Sequence, residues 1–513
     1  MTSSFHPLRV SGRRLLVVCL GFLSGWGSLS VLAAEPVADR PEKLKFPPLV
    51  YTPPNPLDFR VALKNGPVAY VVPDRELPLV NIVIHVRAGT YLDPVGKEGL
   101  ADLAGDLLAR GGIQSKSAEE LEERLAFLAA VLNSNIAGEK GTVSLNLLSK
   151  DLDEGLAILR EVLSQPRMQQ SKLDLARQQA LQAMKQRNDD SSSIEDRELD
   201  LLAYGEAFWA NRHETQASVE SITRDDLLAF HKRWFHPANF VVAVNGDFDR
   251  ADMVARLEKL FVDWPFRGDV AQPVPGSVEF AKPGVYLVNK EVNQGRVAIL
   301  LPGFLRESPD NAQVAMMNMI LGGGGFTSRI MNRVRSDEGL AYSAFSIFRG
   351  GTYYPTPFHA GFQSKSRTVA YAASIVLKEM SQIAAEAVTD EELETAKKAF
   401  IEALPRRFAT KAQVADAFAD EEFTGRFAKQ PDYWATYRQR LEAVDKAAIQ
   451  RVARNYLDPS KVAILVVGQK DEILKGHPDH PVKLEELAGG KLIDVPLRDP
   501  LTMKPLTPTN AER

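Results

Sequence analysis

Two aspartates four positions apart are spaced to act together as cation ligands. Asp102 and Asp106 fall in a predicted helix over residues 99–110, and residues four apart on a helix share one face. Carboxylate oxygens are ligands that hard cations such as Mg²⁺ and Ca²⁺ accept. Because the pair has neither a third ligand nor a general base, a solvated acidic face is the simpler interpretation.

The histidines offer no better metal site. His231 and His236 are five positions apart and diverge on a helix, which makes a poor ligand pair. His477 and His480 fall in a proline-rich tail, where we expect them to be solvated. His85 lies on an apolar strand and is expected to be a buried histidine with a hydrogen-bonding partner. No cluster of histidines therefore predicts zinc binding.

Motifs for nucleophilic catalysis and for phosphate binding are missing from the sequence. The only cysteine is Cys19, near the N-terminus, so disulfides and zinc sites built on cysteine are excluded from the rest of the chain. There is no Gly-x-Ser-x-Gly elbow. The four glycines at 322–325 are not followed by Gly-Lys-Ser/Thr, which excludes a P-loop. They predict a tight helix exit with close backbone approach instead.

Composition places the chain among ordinary globular proteins. Its 513 residues are 45% hydrophobic and 25% charged, which is enough for two or more domains with buried cores. The formal net charge is −4, and no basic cluster outside the N-terminal segment could serve as a nucleic-acid footprint. We therefore expect no nucleic-acid partner.

The first 34 residues predict a cleaved signal peptide. Three arginines between positions 9 and 14 precede an apolar stretch over residues 15–32. Ala33 and Ala34 then offer a cleavage site before a polar, proline-rich segment. No later stretch approaches the length of an apolar membrane span. The prediction is export to the periplasm with no membrane span after cleavage, and a retained N-terminal anchor is the alternative.

The remaining sequence has two halves with the same order of elements. Capping boxes mark helix starts, for example at 117–120, where a helix is predicted through about Val131. Both halves close with a helix, a proline-containing turn and an apolar strand that ends in Gly246 or Gly468. These glycines are 222 positions apart, which is too long for a solenoid repeat and indicates a duplicated domain.

These patterns predict an α+β fold of two homologous domains, each an antiparallel sheet packed with helices. The predicted divisions are a signal peptide at 1–34, an N-terminal domain at 35–265, a linker at 266–284, a C-terminal domain at 285–474 and a tail at 475–513. Proline, glycine and short polar residues indicate the linker. The tail is rich in proline and lacks periodicity, so the sequence leaves its order open.

The sequence resembles the pitrilysin family of zinc metallopeptidases, and most closely its smaller bacterial members with two such domains per subunit. The resemblance covers residues 44–470. It rests on Ala88-Gly-Thr90, on Gly99-Leu-Ala101, on the two closing helix–strand units and especially on residues 322–342. It implies that the two domains form half of a clamshell.

Active members of this family carry an inverted zinc motif, His-x-x-Glu-His, on a helix. Its histidines hold zinc, its glutamate activates the metal-bound water, and a later glutamate is the third ligand. The resemblance places Asp102 and Asp106 at the histidines, Gly105 at the first glutamate and Ala183 at the later one. Because all these positions depart from the family pattern, we expect no metal or other cofactor on this chain.

The signature of the second half is intact. In active members an arginine and a tyrosine reach across the closed clamshell to bind the substrate backbone and the developing oxyanion, and the resemblance gives these roles to Arg335 and Tyr342. Gly339 is expected to end a helix after Arg335, so that Tyr342 starts the next strand. The alternative is that Arg335 pairs with Asp337 or Glu338 and that Tyr342 only packs.

Loss of one catalytic half beside an intact second half predicts the zinc-less subunit of an exported heterodimeric metallopeptidase. A homologous partner would carry the zinc, its ligands and the catalytic glutamate, while this chain would supply Arg335, Tyr342 and half of a chamber for peptide substrates. The chain is not expected to be active alone. A non-catalytic peptide-binding or scaffold homodimer of the envelope is the alternative, and a role in cofactor maturation on a short precursor peptide is a third hypothesis.

Overall fold

The computed structural model describes residues 39–40, 43–44, 50–64 and 66–506. The predicted signal peptide, its cleavage site at Ala33 and Ala34, and Cys19 lie outside the described residues. The described residues from Tyr51 onwards form one compact unit. Among the described helices, none is long and apolar enough to cross a membrane.

One sheet is built from the strands of the first half. Its strands are β1 (Arg60–Ala62), β2 (Val68–Pro73), β3 (Leu79–Val86), β4 (Val131–Ala137), β5 (Lys140–Leu148) and β6 (Phe240–Gly246). They form a six-stranded sheet in the order β1-β2-β6-β3-β5-β4. In β3 the apolar side chains of Val80, Ile82 and Ile84 are fully buried on one face, as the two-residue period of a strand predicts.

The first half also contains a series of helices. They are α1 (Leu100–Arg110), α2 (Ala118–Phe127), α3 (Leu152–Ser164), α4 (Gln170–Lys185), α5 (Ser191–Tyr204), α6 (Gln216–Ser221), α7 (Arg224–Trp234) and α8 (Arg250–Phe261). Leu107 of α1 and Leu159 of α3 share one buried core with Ile82. Capping boxes are present at Ser117 and Thr223, as the sequence predicts.

The second half repeats the arrangement. Its strands are β7 (Gly284–Asn289), β8 (Gln294–Phe304), β9 (Ala341–Ile347), β10 (Thr356–Lys365), β11 (Ala463–Gly468) and β12 (Leu492–Val495), in the order β12-β7-β11-β8-β10-β9. Its helices are α9 (Asn311–Asn318), α10 (Arg329–Met331), α11 (Val369–Ala385), α12 (Asp390–Ala403), α13 (Lys411–Phe423), α14 (Arg426–Lys429), α15 (Tyr437–Glu442), α16 (Lys446–Tyr456) and α17 (Lys470–Lys475). The α+β class and the duplication are therefore confirmed.

Both sheets contain parallel pairs among the predicted antiparallel ones. Strand β2 runs parallel to β6, and β7 runs parallel to β11 and β12. Parallel neighbours need a long crossover connection, and the chain between β2 and β6 contains seven of the helices named above. The sequence identified both closing strands but not the strand beside which each lies.

One helix from each half packs on the sheet of the other half. Helix α5 packs on β8 and β11, and its Ile194 is buried with Leu465 and Val467. Helix α13 packs on β2 and β6, where Phe418 shares a buried cluster with Tyr70 and Val241. Neither sheet is therefore covered by its own half alone.

Two segments differ from the sequence expectation or extend it. The helix predicted through Val131 is wrong at its end, because α2 stops at Phe127 and Val131 begins β4. Ala129 takes a positive φ of 49° between them, a conformation that cannot continue a right-handed helix. The tail contributes β12 to the second sheet, and Leu501 packs against the first core.

Replacing Phe418 tests whether α13 stabilises the protein by packing on the sheet of the first half. Phe418 is 1% exposed, so Phe418→Ala should lower the free energy of unfolding by about 3–5 kcal/mol through the lost contacts and the cavity. Urea unfolding followed by circular dichroism measures the change. Phe127→Ala is the control, because that side chain is 77% exposed and surface changes cost at most about 0.5 kcal/mol. Equal losses in the two variants would contradict this packing.

Candidate functional site

Helix α1 carries the predicted remnant of the zinc motif, and a buried carboxylate fixes its start. Gly99 precedes the helix with a positive φ of 98°. The side chain of Asp93 accepts hydrogen bonds from the backbone N–H groups of Gly99 at 3.1 Å and Ala101 at 2.9 Å. These bonds satisfy donors that a helix N-terminus leaves free. Asp102 and Asp106 follow in the first and second turns of α1.

The two aspartates of α1 engage different partners. Asp106 forms an ion pair with Arg110 one turn later. Asp102 faces Glu214, and its burial, with the charge of Glu214 and a hydrogen bond to it, raises the pKa of Asp102 to about 7. Within the described residues, no group of three or more His, Cys, Asp or Glu side chains is arranged to hold a metal ion. Asp102 and Asp106 alone therefore do not make a zinc site. They also lack a third ligand for a hard cation.

Gly105 brings α1 into backbone contact with the edge strand β4. A Cβ atom added at Gly105 would lie 2.4 Å from the backbone nitrogen of Ile136, closer than atoms can pack. Ser134 of β4 fastens the contact, because its hydroxyl donates to the carbonyl of Gly105 at 2.5 Å and accepts from the N–H of Ala109 at 2.9 Å. The position that the resemblance assigns to the catalytic glutamate therefore has no room for a side chain while this contact is kept.

Ala183 provides no ligand either. It lies near the end of α4, a helix that packs against α1, and its methyl group is exposed while the neighbouring Met184 is buried. The positions predicted for the former zinc site thus fall on two neighbouring helices. Glycine and alanine carry no ligand atom, and the two aspartates are engaged by Arg110 and Glu214.

Arg335 and Tyr342 come together in the second half. Arg335 lies in a π-helical segment, Asn332–Asp337, and Gly339 follows with a positive φ of 63° before β9 begins. The guanidinium carbon of Arg335 lies 4.5 Å from the ring centre of Tyr342 and 4.7 Å from that of Phe326. We call Phe326, Arg335 and Tyr342 the aromatic platform. The sequence analysis missed Phe326, although its place beside the glycine run was visible.

The glycine run positions this platform. A Cβ atom at Gly322 would lie 2.4 Å from the backbone nitrogen of Ser346 in β9, which confirms the predicted close approach. The side-chain amide of Asn318 donates to the carbonyl of Ser346 at 3.1 Å, and the Ser346 hydroxyl donates to the Asn318 side-chain oxygen at 2.7 Å. The segment that leads to Phe326 is thereby held against the strand that carries Tyr342.

The acidic residues near Arg335 are engaged elsewhere. Asp337 accepts a hydrogen bond at 2.6 Å from Arg333. In the part of the chain that is described, Arg335 has no ion pair with a carboxylate, and Tyr342 is 83% exposed. The ion pair of Arg335 with Asp337 or Glu338 that the alternative expected is therefore not present among the described residues. The binding roles of both residues remain predictions.

Adding a methyl group at Gly105 tests the contact with β4. Helix propensity alone would favour Gly105→Ala by about 1 kcal/mol, whereas the clash with β4 should destabilise the fold by about 1–3 kcal/mol. Urea unfolding gives the sign. Ala183→Gly on the exposed face of α4 is the control, because it reports helix propensity without a clash. Stabilisation by Gly105→Ala would contradict the contact.

The burial of Asp102 predicts a pH-dependent gain in stability for Asp102→Asn. The folded-state pKa of about 7 lies above the ordinary value of 3.8, so folding favours the protonated acid and the penalty for the buried charge grows as pH rises from about 4 to 7. A tenfold difference in proton affinity between the folded and unfolded states corresponds to about 1.4 kcal/mol, so the gain is a few kcal/mol at most.

Urea unfolding of wild type and Asp102→Asn between pH 4 and 8 measures this effect. The variant should be more stable at pH 8 and nearly equal to wild type near pH 4, because only an ionised carboxylate carries the penalty. Asp106→Asn is the control, since it loses the ion pair with Arg110 and should gain nothing at pH 8. A difference for Asp102→Asn that does not change with pH would refute the explanation.

Two sequence models of one peptidase family match the chain. "Insulinase (Peptidase family M16)" matches residues 71–207, and "Peptidase M16 inactive domain" matches residues 221–400. A Helicobacter pylori protein named non-peptidase homolog YmxG is 26% identical over 336 residues, which are 65% of this chain and 77% of that protein.

Solved structures share the fold. A peptidase M16 inactive domain from Pseudomonas fluorescens aligns with a TM-score of 0.71 and 23% identity over 80% of this chain and 97% of that one. The periplasmic protease PqqL from Escherichia coli aligns with a TM-score of 0.66 and 14% identity, over 85% of this chain and 48% of PqqL. With the altered motif on α1, these matches lead to one conclusion: the chain belongs to the pitrilysin family, peptidase family M16, as a member without the zinc ligands.

Proposed function

We propose that this chain is the zinc-less subunit of an exported heterodimeric metallopeptidase. A homologous partner subunit carries the zinc, its ligands and the catalytic glutamate. This chain contributes Arg335, Tyr342 and half of the chamber that encloses a peptide substrate. No cofactor is held on this chain.

The observation that carries the proposal is the contrast between the two halves. At Gly105, where the resemblance puts the catalytic glutamate, the backbone of β4 leaves no space for a side chain. In the second half, Tyr342 is exposed and Arg335 has no ion pair with a carboxylate among the described residues. In a chain that takes no part in catalysis, we would expect both sites to have changed, and not only the one on α1. The contrast favours a subunit that acts together with a partner.

Arg335 and Tyr342 have the chemistry to act on a peptide carbonyl. The arginine is a permanent cation with several N–H donors, and the tyrosine hydroxyl is a further donor. Donors aimed at the oxygen that becomes negative in the transition state each contribute about 2.7–4 kcal/mol in well-organised sites. In the proposed heterodimer these donors face the partner's metal site, so each subunit supplies half of the machinery.

Export to the periplasm is part of the proposal. The basic and apolar N-terminal residues favour a signal peptide, and no described helix suits a membrane span. The structural neighbour PqqL is named a periplasmic protease. Cell fractionation of the native protein tests this part separately from activity.

Mixing the purified chain with a zinc-bearing homologue from the same organism tests the heterodimer. The mixture should show peptidase activity that a chelator removes, and neither chain alone should match it. Arg335→Ala and Tyr342→Phe should each lower kcat/KM about a hundredfold or more, the usual effect of losing one such donor. Size-exclusion chromatography should show the dimer intact in both variants.

Arg333→Lys is the matched control, because Arg333 lies two residues before Arg335 but pairs with Asp337 and Glu379. Its activity should equal that of the unmodified mixture. Unchanged rates in both Arg335→Ala and Tyr342→Phe would argue against the proposal. Stoichiometric zinc and unaided peptide hydrolysis by the isolated chain would end it.

A peptide-binding or scaffold homodimer is the second candidate, and one groove favours it. Helices α1, α2 and α4 and strand β4 enclose a groove of about 520 Å³. Val131 and Leu175 on its walls are 52% and 48% exposed. Among the described strands, β4 pairs only with β5, and a free edge can accept an extended peptide. Self-association on sizing, with peptide binding but no activity beside a zinc-bearing homologue, would favour this function.

A further inference from the structure

Arg335 offers unused hydrogen-bond donors on the aromatic platform. Its guanidinium carbon lies over the rings of Phe326 and Tyr342, whose π-electrons attract the charge without using the N–H groups. Within the described part of the chain, no acceptor forms a hydrogen bond with the guanidinium of Arg335, although the residue is half-buried. The guanidinium has five N–H donors in a planar fork. It is thus held in place with its donors available.

Local acids do not compete for these donors. Asp337 is bound by Arg333, and Glu338 lies near Tyr371, whose pKa is raised by burial and by that carboxylate. An acidic group from outside the described chain can therefore approach Arg335 without displacing an existing ion pair. If an existing ion pair had to be broken first, much of the binding free energy of the new ion pair would be lost.

The cavity next to Tyr342 has acidic and basic side chains in equal number on its walls. This cavity has a volume of about 510 Å³, and two cations and two acids line it: Arg296, Lys365, Glu195 and Asp196. Glu195 pairs with Arg296 at 3.2 Å. The charges on the cavity walls therefore balance, and the cavity adds no net negative charge beside the aromatic platform.

The two aromatic rings of the platform are largely exposed to solvent. Phe326 is 66% exposed and Tyr342 is 83% exposed. Aromatic and arginine side chains together are the residues that most often anchor bound ligands and partners. Their joint exposure around one arginine with free donors indicates a recognition surface rather than a structural cluster.

We propose that the aromatic platform binds a carboxylate group of a peptide. The two oxygens of a carboxylate match the fork of a guanidinium and accept two parallel hydrogen bonds from it. A C-terminal carboxylate and an acidic side chain share this chemistry. The inference rests on the proposed function in taking a peptide as the ligand, and it deepens that function by naming the peptide class.

Peptide binding to the full chain, without any partner subunit, tests this inference. Three fluorescently labelled, alanine-rich hexapeptides serve as probes: one ends in a free carboxylate, one in an amide, and one in an amide with a single internal glutamate. Fluorescence anisotropy gives the dissociation constants. The free acid should bind about tenfold or more tightly than the amide, the range expected for hydrogen bonds to a charged group.

The third peptide separates the two sources of carboxylate. Binding of the glutamate peptide as tightly as the free acid would support recognition of a carboxylate on a side chain. Binding of that peptide as weakly as the plain amide, with tight binding of the free acid, would support recognition of a peptide C-terminus.

Substitutions in the aromatic platform test which of its residues cause the preference for the acid peptide over the amide. Arg335→Lys keeps the charge but loses the planar fork, so the preference for the acid should fall severalfold. Phe326 acts as a positioning residue: Phe326→Leu should weaken the preference, and Phe326→Tyr, which keeps a ring, should retain it. Arg333→Lys should bind all three peptides as the wild type does.

Equal binding of the acid and the amide by the wild type would overturn the inference, as would no binding of any peptide at millimolar concentration. Full preference for the acid in Arg335→Lys would also overturn it. The two proposals can fail separately. Metal-dependent activity of the heterodimer without carboxylate preference would reject only the carboxylate site, and carboxylate preference without such activity would reject only the subunit role.

Discussion

The backbone contact between α1 and β4 at Gly105 is the constraint on which the chemistry of this chain depends. A helix and an edge strand approach so closely that a single methyl group would meet the nitrogen of Ile136 at 2.4 Å. Ser134 bonds the carbonyl of Gly105 and the N–H of Ala109, which holds the strand in place. If the resemblance assigns the motif correctly, this chain lacks both the zinc ligands and the space for a catalytic side chain at Gly105.

The second half has a similar close contact between a glycine and an edge strand, but this contact lies beside an exposed surface. Gly322 follows helix α9 and meets the nitrogen of Ser346 in the edge strand β9, also at 2.4 Å for an added Cβ. Here the tight contact closes no site. It sets the edge strand beside the segment that carries Phe326 and Arg335, and Tyr342 projects from that strand into solvent. The same kind of glycine contact thus leaves no space for a side chain on α1 in one half and positions an exposed surface in the other.

The exchange of α5 and α13 ties these two halves together. Each helix buries apolar residues on the sheet of the other half, so that neither sheet completes its core alone. Helix α5 also brings Glu195 to Arg296, on the wall of the cavity beside Tyr342. A residue of the first half therefore helps to shape the surface next to the aromatic platform. Both halves must fold for that surface to exist.

The sequence by itself determined what local patterns encode. The capping boxes, the buried strands, the duplicated endings, the departed motif at Asp102 and Asp106, and the order of Arg335, Gly339 and Tyr342 depend only on neighbouring residues. Tertiary structure alone decided the strand order with its parallel pairs, the exchange of α5 and α13, and the contacts at Gly105 and Gly322. Strand β4 also escaped sequence analysis, because its mixed residues VLNSNIA gain their pairing from β5. Such contacts join segments far apart in the chain, and no local periodicity specifies where distant backbones meet.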